Sequence, residues 1–283
     1  GSAAYYHNRM GLAFLQKGDS KRAMAEFLKA TQLESRYADA HFNLGVTYYQ
    51  KGMINAASVQ FEEAIDFDPN HADAYYYLGL IYQGRRDFNE AAKSYRKAIK
   101  KNPRHVSALY NLATVYETLG DLGKAASELE KYIDLDPQSV IARNRLGSIL
   151  NRMGLLDDAI AQFQKSAAID SSNAETYNLL GVTYFKKERY DDAISAWEMA
   201  IKVNSSYPEP IFNIGLVHLK MGRLDQAIAA FKEAITLKPD FALAHLNLGK
   251  AYYMKNMKKE AAREWDRAQE IDPGLRLKDI SGS

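Results

Sequence analysis

The chain has 283 residues, 47% apolar and 25% charged, the balance of an ordinary folded protein. Its 37 basic and 35 acidic side chains leave a formal charge of +2, which gives no broad electropositive footprint for DNA or RNA. No apolar run approaches the ~18 residues of a membrane span, and the absence of cysteine excludes disulfides, thiolate metal sites and cysteine nucleophiles.

A globular chain of this length would divide into about two domains. A repeat array need not, because each repeat packs only on its neighbours. Gly11, Gly45, Gly79, Gly147, Gly181, Gly215 and Gly249 lie 34 residues or a multiple of 34 apart, with Ala113 in the one gap. Ala23, Ala57, Ala91, Ala125, Ala159, Ala193, Ala227 and Ala261 form a second register of the same period. Gly1-Ser2 reads as a cloning remnant, so a missing leader or lipid anchor says little, and cytoplasmic and periplasmic or lipoprotein locations are both compatible. After residues 1–3, repeats begin near residues 4, 38, 72, 106, 140, 174, 208 and 242. They make a single expected domain over 4–275, followed by a tail at 276–283.

The second repeat shows the physics most clearly. Leu44, Gly45 and Tyr48 share one helical face. Gly52 interrupts the pattern where a turn is needed, and Ala57, Phe61 and Ala64 form a second stripe. Pro69 ends the second helix, since it lacks an N–H and restricts the residue before it. Each repeat is therefore two helices of roughly 14 residues, about 21 Å long. A small residue at the glycine register faces a large one: Phe27, Phe61, Tyr95, Phe163, Trp197, Phe231 and Trp265, with Leu129 in the fourth repeat. Departures are local. Ser35, Ser171 and Ser205 replace the closing proline, Tyr132 and Ser166 replace a small alanine, and Arg143 replaces a large packing residue, which makes the fifth repeat the least regular.

Leucine–glycine, tyrosine three residues later, then alanine, aromatic and proline resembles the tetratricopeptide repeat (TPR) signature over nearly the whole chain. The resemblance implies an all-α, right-handed superhelical solenoid of eight helix-turn-helix repeats whose first helices line a concave face. In that family the second, fifth, sixth, ninth, twelfth and thirteenth positions of each repeat point inward. On this mapping the fifth positions are Phe42, Tyr76, Tyr110, Asn144, Asn178, Phe212 and Leu246, and Tyr49 and Tyr77 add to the aromatic stripe of repeats two to four. Tyrosine is a low-entropy contact residue suited to a binding surface; the competing reading is that these rings cover the edge of the core. Sixth positions hold Asn43, Asn111, Asn213 and Asn247, similar to an interrupted version of the asparagine ladder of a glycosyltransferase TPR superhelix. Such amides can grip a peptide backbone without reading its sequence, or bond within the solenoid. A chaperone-tail carboxylate clamp is not expected, because the fifth positions carry no lysine and the ninth no asparagine. Arg152, Lys186 and Lys220 occupy equivalent positions, with Arg145 and Lys250 nearby, either as a basic half-groove for an acidic partner or as helix-end cations that complement the macrodipole.

No chemistry emerges beside this surface. GxxxxGK[ST], GxSxG and HExxH are absent. His7, His41 and His245 share one repeat position, and His71 and His105 lie one repeat apart; helices stacked about 10 Å apart hold such rings too far apart to share a metal. Asn204-Ser205-Ser206 is a glycosylation sequon only in a secreted eukaryotic context. The expectation is a non-catalytic scaffold without cofactor or metal, binding a protein or peptide in its concave groove. The alternatives are a substrate-recognition or regulatory domain of a larger enzyme such as a glycosyltransferase, or a bacterial envelope or pilus-assembly lipoprotein. Leu275, Leu277 and Ile280 are too few for a capping helix, so self-association through uncovered ends is a further expectation.

Overall fold

The computed structural model describes residues 2–275, and sixteen α-helices and no strand occur among them. The chain forms two compact units, Gly1–Pro137 and Gln138–Ser283. The first contains α1 (Ala3–Gln16), α2 (Ser20–Leu33), α3 (Ala38–Gln50), α4 (Ile54–Phe67), α5 (Ala72–Gly84), α6 (Phe88–Lys101), α7 (Val106–Thr118) and α8 (Leu122–Leu135). The second contains α9 (Val140–Arg152), α10 (Leu156–Ile169), α11 (Ala174–Lys186), α12 (Tyr190–Val203), α13 (Pro208–Lys220), α14 (Leu224–Leu237), α15 (Ala242–Met254) and α16 (Lys258–Ile271). From α3 onwards every first helix starts 34 residues after the last one, as the sequence registers require. Within each unit, first and second helices pack as pairs and each second helix packs on the next first helix.

The turn inside each repeat needs one residue in the left-handed region. Gly18, Gly52, Gly120, Gly154 and Gly222 supply it, and Arg86, Glu188 and Asn256 adopt it at φ 61, 58 and 63°. Side-chain oxygens of Asp19, Asp87 and Asp121 then cap α2, α6 and α8 by accepting from Arg22, Glu90 and Lys124 N–H groups. At the other end Asp170 and Asn204 accept from the backbone of Ser172 and Ser206. These Asx turns end α10 and α12 without the proline that Ser171 and Ser205 displace.

The core sits between paired helices. A Cβ built on Gly79 would fall 2.5 Å from the Tyr95 ring, and Gly11, Gly45, Gly147, Gly181 and Gly215 meet their facing ring within 2.8 Å. Glycine is thus dictated by a ring lying on its backbone. In the fourth repeat Ala113 fits because its partner is Leu129, both fully buried. The polar fourth positions are satisfied across the same pair. His41 meets Gln60 at 2.8 Å and the Ser35 carbonyl at 3.0 Å, and His245 meets Glu264 at 2.6 Å and the Pro239 carbonyl at 3.1 Å. Arg143 donates to Gln162 at 3.3 Å, so it replaces a packing side chain with a hydrogen bond.

The last described helix bears on the expectation of uncovered ends. Ile228 and Ile235 on α14 pack into the cluster formed with α15. Their counterparts on α16 are Ala262 and Gln269, both exposed. The apolar pair that an additional repeat would cover is therefore missing from α16; Leu277 and Ile280 lie outside the described residues.

Candidate functional site

The aromatic fifth positions of the first unit form a connected patch. Phe42 on α3 lies 5.6 Å from Tyr77 on α5, and Tyr77 lies 5.6 Å from Tyr49, 5.6 Å from Tyr76 and 5.1 Å from the core ring of Phe61. Tyr76 continues the patch to Tyr95 at 5.8 Å, and Tyr110 on α7 rests 6.0 Å from Tyr132. All five groove aromatics of this unit, Phe42, Tyr49, Tyr76, Tyr77 and Tyr110, are half-buried. One side of each ring therefore covers the core, while the other remains accessible. Burial pushes the Tyr76 and Tyr77 phenols above their ordinary value, so they stay protonated and able to donate.

A pairing at 29-residue spacing, which the sequence reading missed, fixes these rings. Phe42 packs on His71 at 4.5 Å and Tyr76 on His105 at 4.7 Å. Each histidine caps the following helix: Nδ1 of His71 accepts from Ala74 N–H and that of His105 from Ala108 N–H, both at 3.2 Å. With Nδ1 accepting, the proton sits on Nε2, which lies 3.1 Å from Asp73 Oδ1 without reaching aligned hydrogen-bond geometry. The same spacing carries a polar version, with Asn8 donating to Tyr37 at 3.2 Å and Asn178 to Tyr207 at 3.0 Å. The signal was present in the sequence as matched chemistry at fixed distance, aromatic with histidine and asparagine with tyrosine.

The asparagine row is largely committed inside the fold. Asn43 donates to Asn8 Oδ1 at 2.9 Å, Asn213 to Asn178 Oδ1 at 3.3 Å, Asn111 to the Tyr76 hydroxyl at 3.3 Å, and Asn247 to the Leu243 carbonyl of its own helix at 2.8 Å. Asn144 is buried and donates to Thr176 at 2.8 Å. Phe212, expected on the groove, is instead a core residue: 7% exposed, it lies 5.6 Å from Phe231 and 4.8 Å from Phe241. Its partner Phe241 is larger and more apolar than the histidines of the first unit, and draws the ring inward.

The basic row is brought into line but ties repeats together. Lys186 donates to Asn151 of the preceding repeat. Lys220 lies 3.9 Å from Glu188 and over the rings of Tyr190 and Phe185 at 5.2 and 5.7 Å. Arg152 is exposed, and Arg145 and Lys250 are half-buried. No cluster of three or more metal-ligating side chains occurs among the described residues, and no helix there is long and apolar enough to cross a membrane.

Paired helices of fixed period, a ring on a glycine in nearly every pair, and a half-buried face on the first helices define a helical-repeat interaction scaffold. The chain belongs to the tetratricopeptide repeat family: TPR family models match residues 11–52, 47–84, 78–140, 147–188, 183–222, 219–256 and 242–275. No match is found among curated proteins. The structure is similar to that of YrrB, described as a TPR protein with an unusual peptide-binding site, at 25% identity and TM-score 0.60 over 65% of this chain and 95% of YrrB. It is also similar to MamA, at 32% identity and TM-score 0.52 over 57% of this chain and 95% of MamA. A likeness in fold alone extends to PilF of Pseudomonas aeruginosa, at 20% identity and TM-score 0.58 over 74% of this chain and 95% of that one.

Proposed function

We propose that this TPR scaffold holds an extended peptide segment of a partner protein on the first-helix face of its first unit, across Phe42, Tyr49, Tyr76 and Tyr77. The observation that carries the reading is the state of two hydroxyls. Tyr49 and Tyr77 are half-buried through their rings, and their hydroxyls, unpaired within the described residues, stay open to solvent. Each hydroxyl is therefore free to donate to a ligand, and a peptide carbonyl would supply the acceptor. The ring faces give apolar contact at low entropic cost. The committed asparagine amides and the tethered lysines leave those rows a secondary part in recognition. The peptide-binding site named for YrrB supports the same class of ligand.

The test uses a peptide selected from a random library against the wild-type protein. Tyr49→Phe combined with Tyr77→Phe keeps both rings, so the melting temperature should hold while affinity falls about tenfold, two neutral hydrogen bonds at ~0.5–1.5 kcal/mol each. Undiminished binding by this double variant would overturn the reading.

A further inference from the structure

Between α4, α5 and α6, away from the aromatic face, lies a cavity of about 200 Å³. Its volume is below the roughly 300–1,000 Å³ typical of small-molecule sites, and matches a single inserted side chain. Ile65 and Leu78 give it apolar wall, and Tyr75 and Tyr82 give it two rings.

The charges around it are unevenly compensated. On the α6 side, Lys93 pairs with Glu90 at 3.4 Å and Lys97 sits 5.3 Å over the Tyr75 ring. On the α4 side, Glu62 and Asp66 stand four residues apart on one helical face. Glu62 accepts only from the Ser58 hydroxyl at 3.3 Å, and Asp66 meets no cation among the described residues. Like charges at this spacing repel, so the wall favours an incoming cation. A second observation is independent of the carboxylates. Ser94 lines the same cavity, is 7% exposed, and has no hydrogen-bond partner among the described residues. The Ser94 hydroxyl, unpaired but still accessible, can give or accept a hydrogen bond with a polar occupant of the cavity.

We infer that this cavity receives one arginine side chain of a partner protein. The aliphatic stem lies along Ile65 and Leu78, and the guanidinium meets the Glu62 and Asp66 carboxylates and donates to the Ser94 hydroxyl. Arginine fits better than lysine for two reasons. Its planar fork can serve two carboxylates and a hydroxyl together. The Tyr82 ring, which has no aromatic or cationic partner among the described residues, offers a face on which it stacks. A metal ion is disfavoured, since the carboxylates here do not gather into a three-ligand set.

The experiment titrates the full chain with the blocked tripeptide acetyl-Gly-Arg-Gly-amide and follows backbone amide shifts by NMR. Saturable shifts centred on Asp66, Tyr82 and Ser94, with a dissociation constant of about millimolar order for so small a probe, are expected. The tripeptide with citrulline, neutral and nearly isosteric, should give none, and the lysine version should bind at least several-fold more weakly. Asp66→Asn with Glu62→Gln, both at exposed positions, should keep the melting temperature and weaken the arginine peptide by about tenfold. Equal shifts with citrulline, equal affinity for lysine, unsaturable shifts, or wild-type affinity in the double variant would each overturn the assignment. Tyr49→Phe with Tyr77→Phe should leave this titration unchanged, so failure here and failure of the peptide-groove reading are told apart.

Discussion

Gly79 and Tyr95 show how a single residue pair sets the distance between two helices. Tyr95 is fully buried and its hydroxyl donates to Gln83 at 2.7 Å, so the ring cannot swing away from an added methyl. Gly79→Ala should therefore destabilise the protein by about 1–3 kcal/mol, and Gly79→Leu by more, read from denaturant midpoints. Adding Tyr95→Leu recreates the Ala113–Leu129 arrangement of the fourth repeat, so the double variant should lose less than the sum of its parts by about 1 kcal/mol or more. Arg86, held at φ 61°, is the converse case. Arg86→Gly should raise stability by about 1 kcal/mol, because glycine removes a left-handed strain of that order. Asp73 ties one such site to pH. The His105 ring beside it, with a smaller contribution from His71, holds its carboxyl below the ordinary range. A depressed folded value means stability that is present above the ordinary carboxylate range, about pH 4, and lost as pH falls through the lowered value. Asp73→Asn should melt below wild type near neutral pH, and the two curves should converge under strong acid; a gap that persists there would contradict this.

At the scale of the helix, capping differs among repeats that are otherwise alike. Asp19, Asp87 and Asp121 cap their second helices, whereas Met53 stands at the same register position of α4 with no side-chain cap and is 48% exposed. Met53→Asp should add about 0.5–2 kcal/mol, seen as a higher melting temperature with unchanged helicity. Neighbouring pairs are also laced by contacts at a common spacing. Arg85 donates to Asn55 at 2.8 Å, and Lys187 and Lys255 reach Asp157 and Asp225 in the same manner. Being exposed, such ties add little each; they favour one register of stacking. Helix limits were legible in the sequence because glycine, proline and the alanine stripe mark them. The Asx turns at Asp170 and Asn204 were not, since a serine in place of proline hides the acceptor one residue before it.

Across the molecule, nearest-neighbour stacking makes the exposed faces of the repeats decide what associates. Ala262 and Gln269 take the places where Ile228 and Ile235 cover the junction between α14 and α15. Restoring that stripe by Ala262→Ile and Gln269→Ile should produce concentration-dependent self-association in sedimentation, while wild type associates less at equal concentration. If the wild type associates as strongly, another surface is responsible.

Period, repeat number, helix limits and the small-against-large core pairs are determined by the sequence alone, because they depend on contacts within one repeat and are written eight times over. The fate of the candidate site was decided only by tertiary structure. Phe42 and Phe212 share a register position, yet Phe42 packs on His71 and remains half-exposed while Phe212 packs on Phe241 and is buried. The asparagines look alike in sequence, but whether an amide faces a ligand or a neighbour depends on the side chain brought against it by the adjoining repeat. Ser94 and the carboxylates of Glu62 and Asp66 carry no motif at all; the stacking of α4 on α5 and α6 alone places them around one cavity. A repeat sequence fixes what each helix can bury, whereas the stacking of different repeats fixes which polar groups are left without a partner.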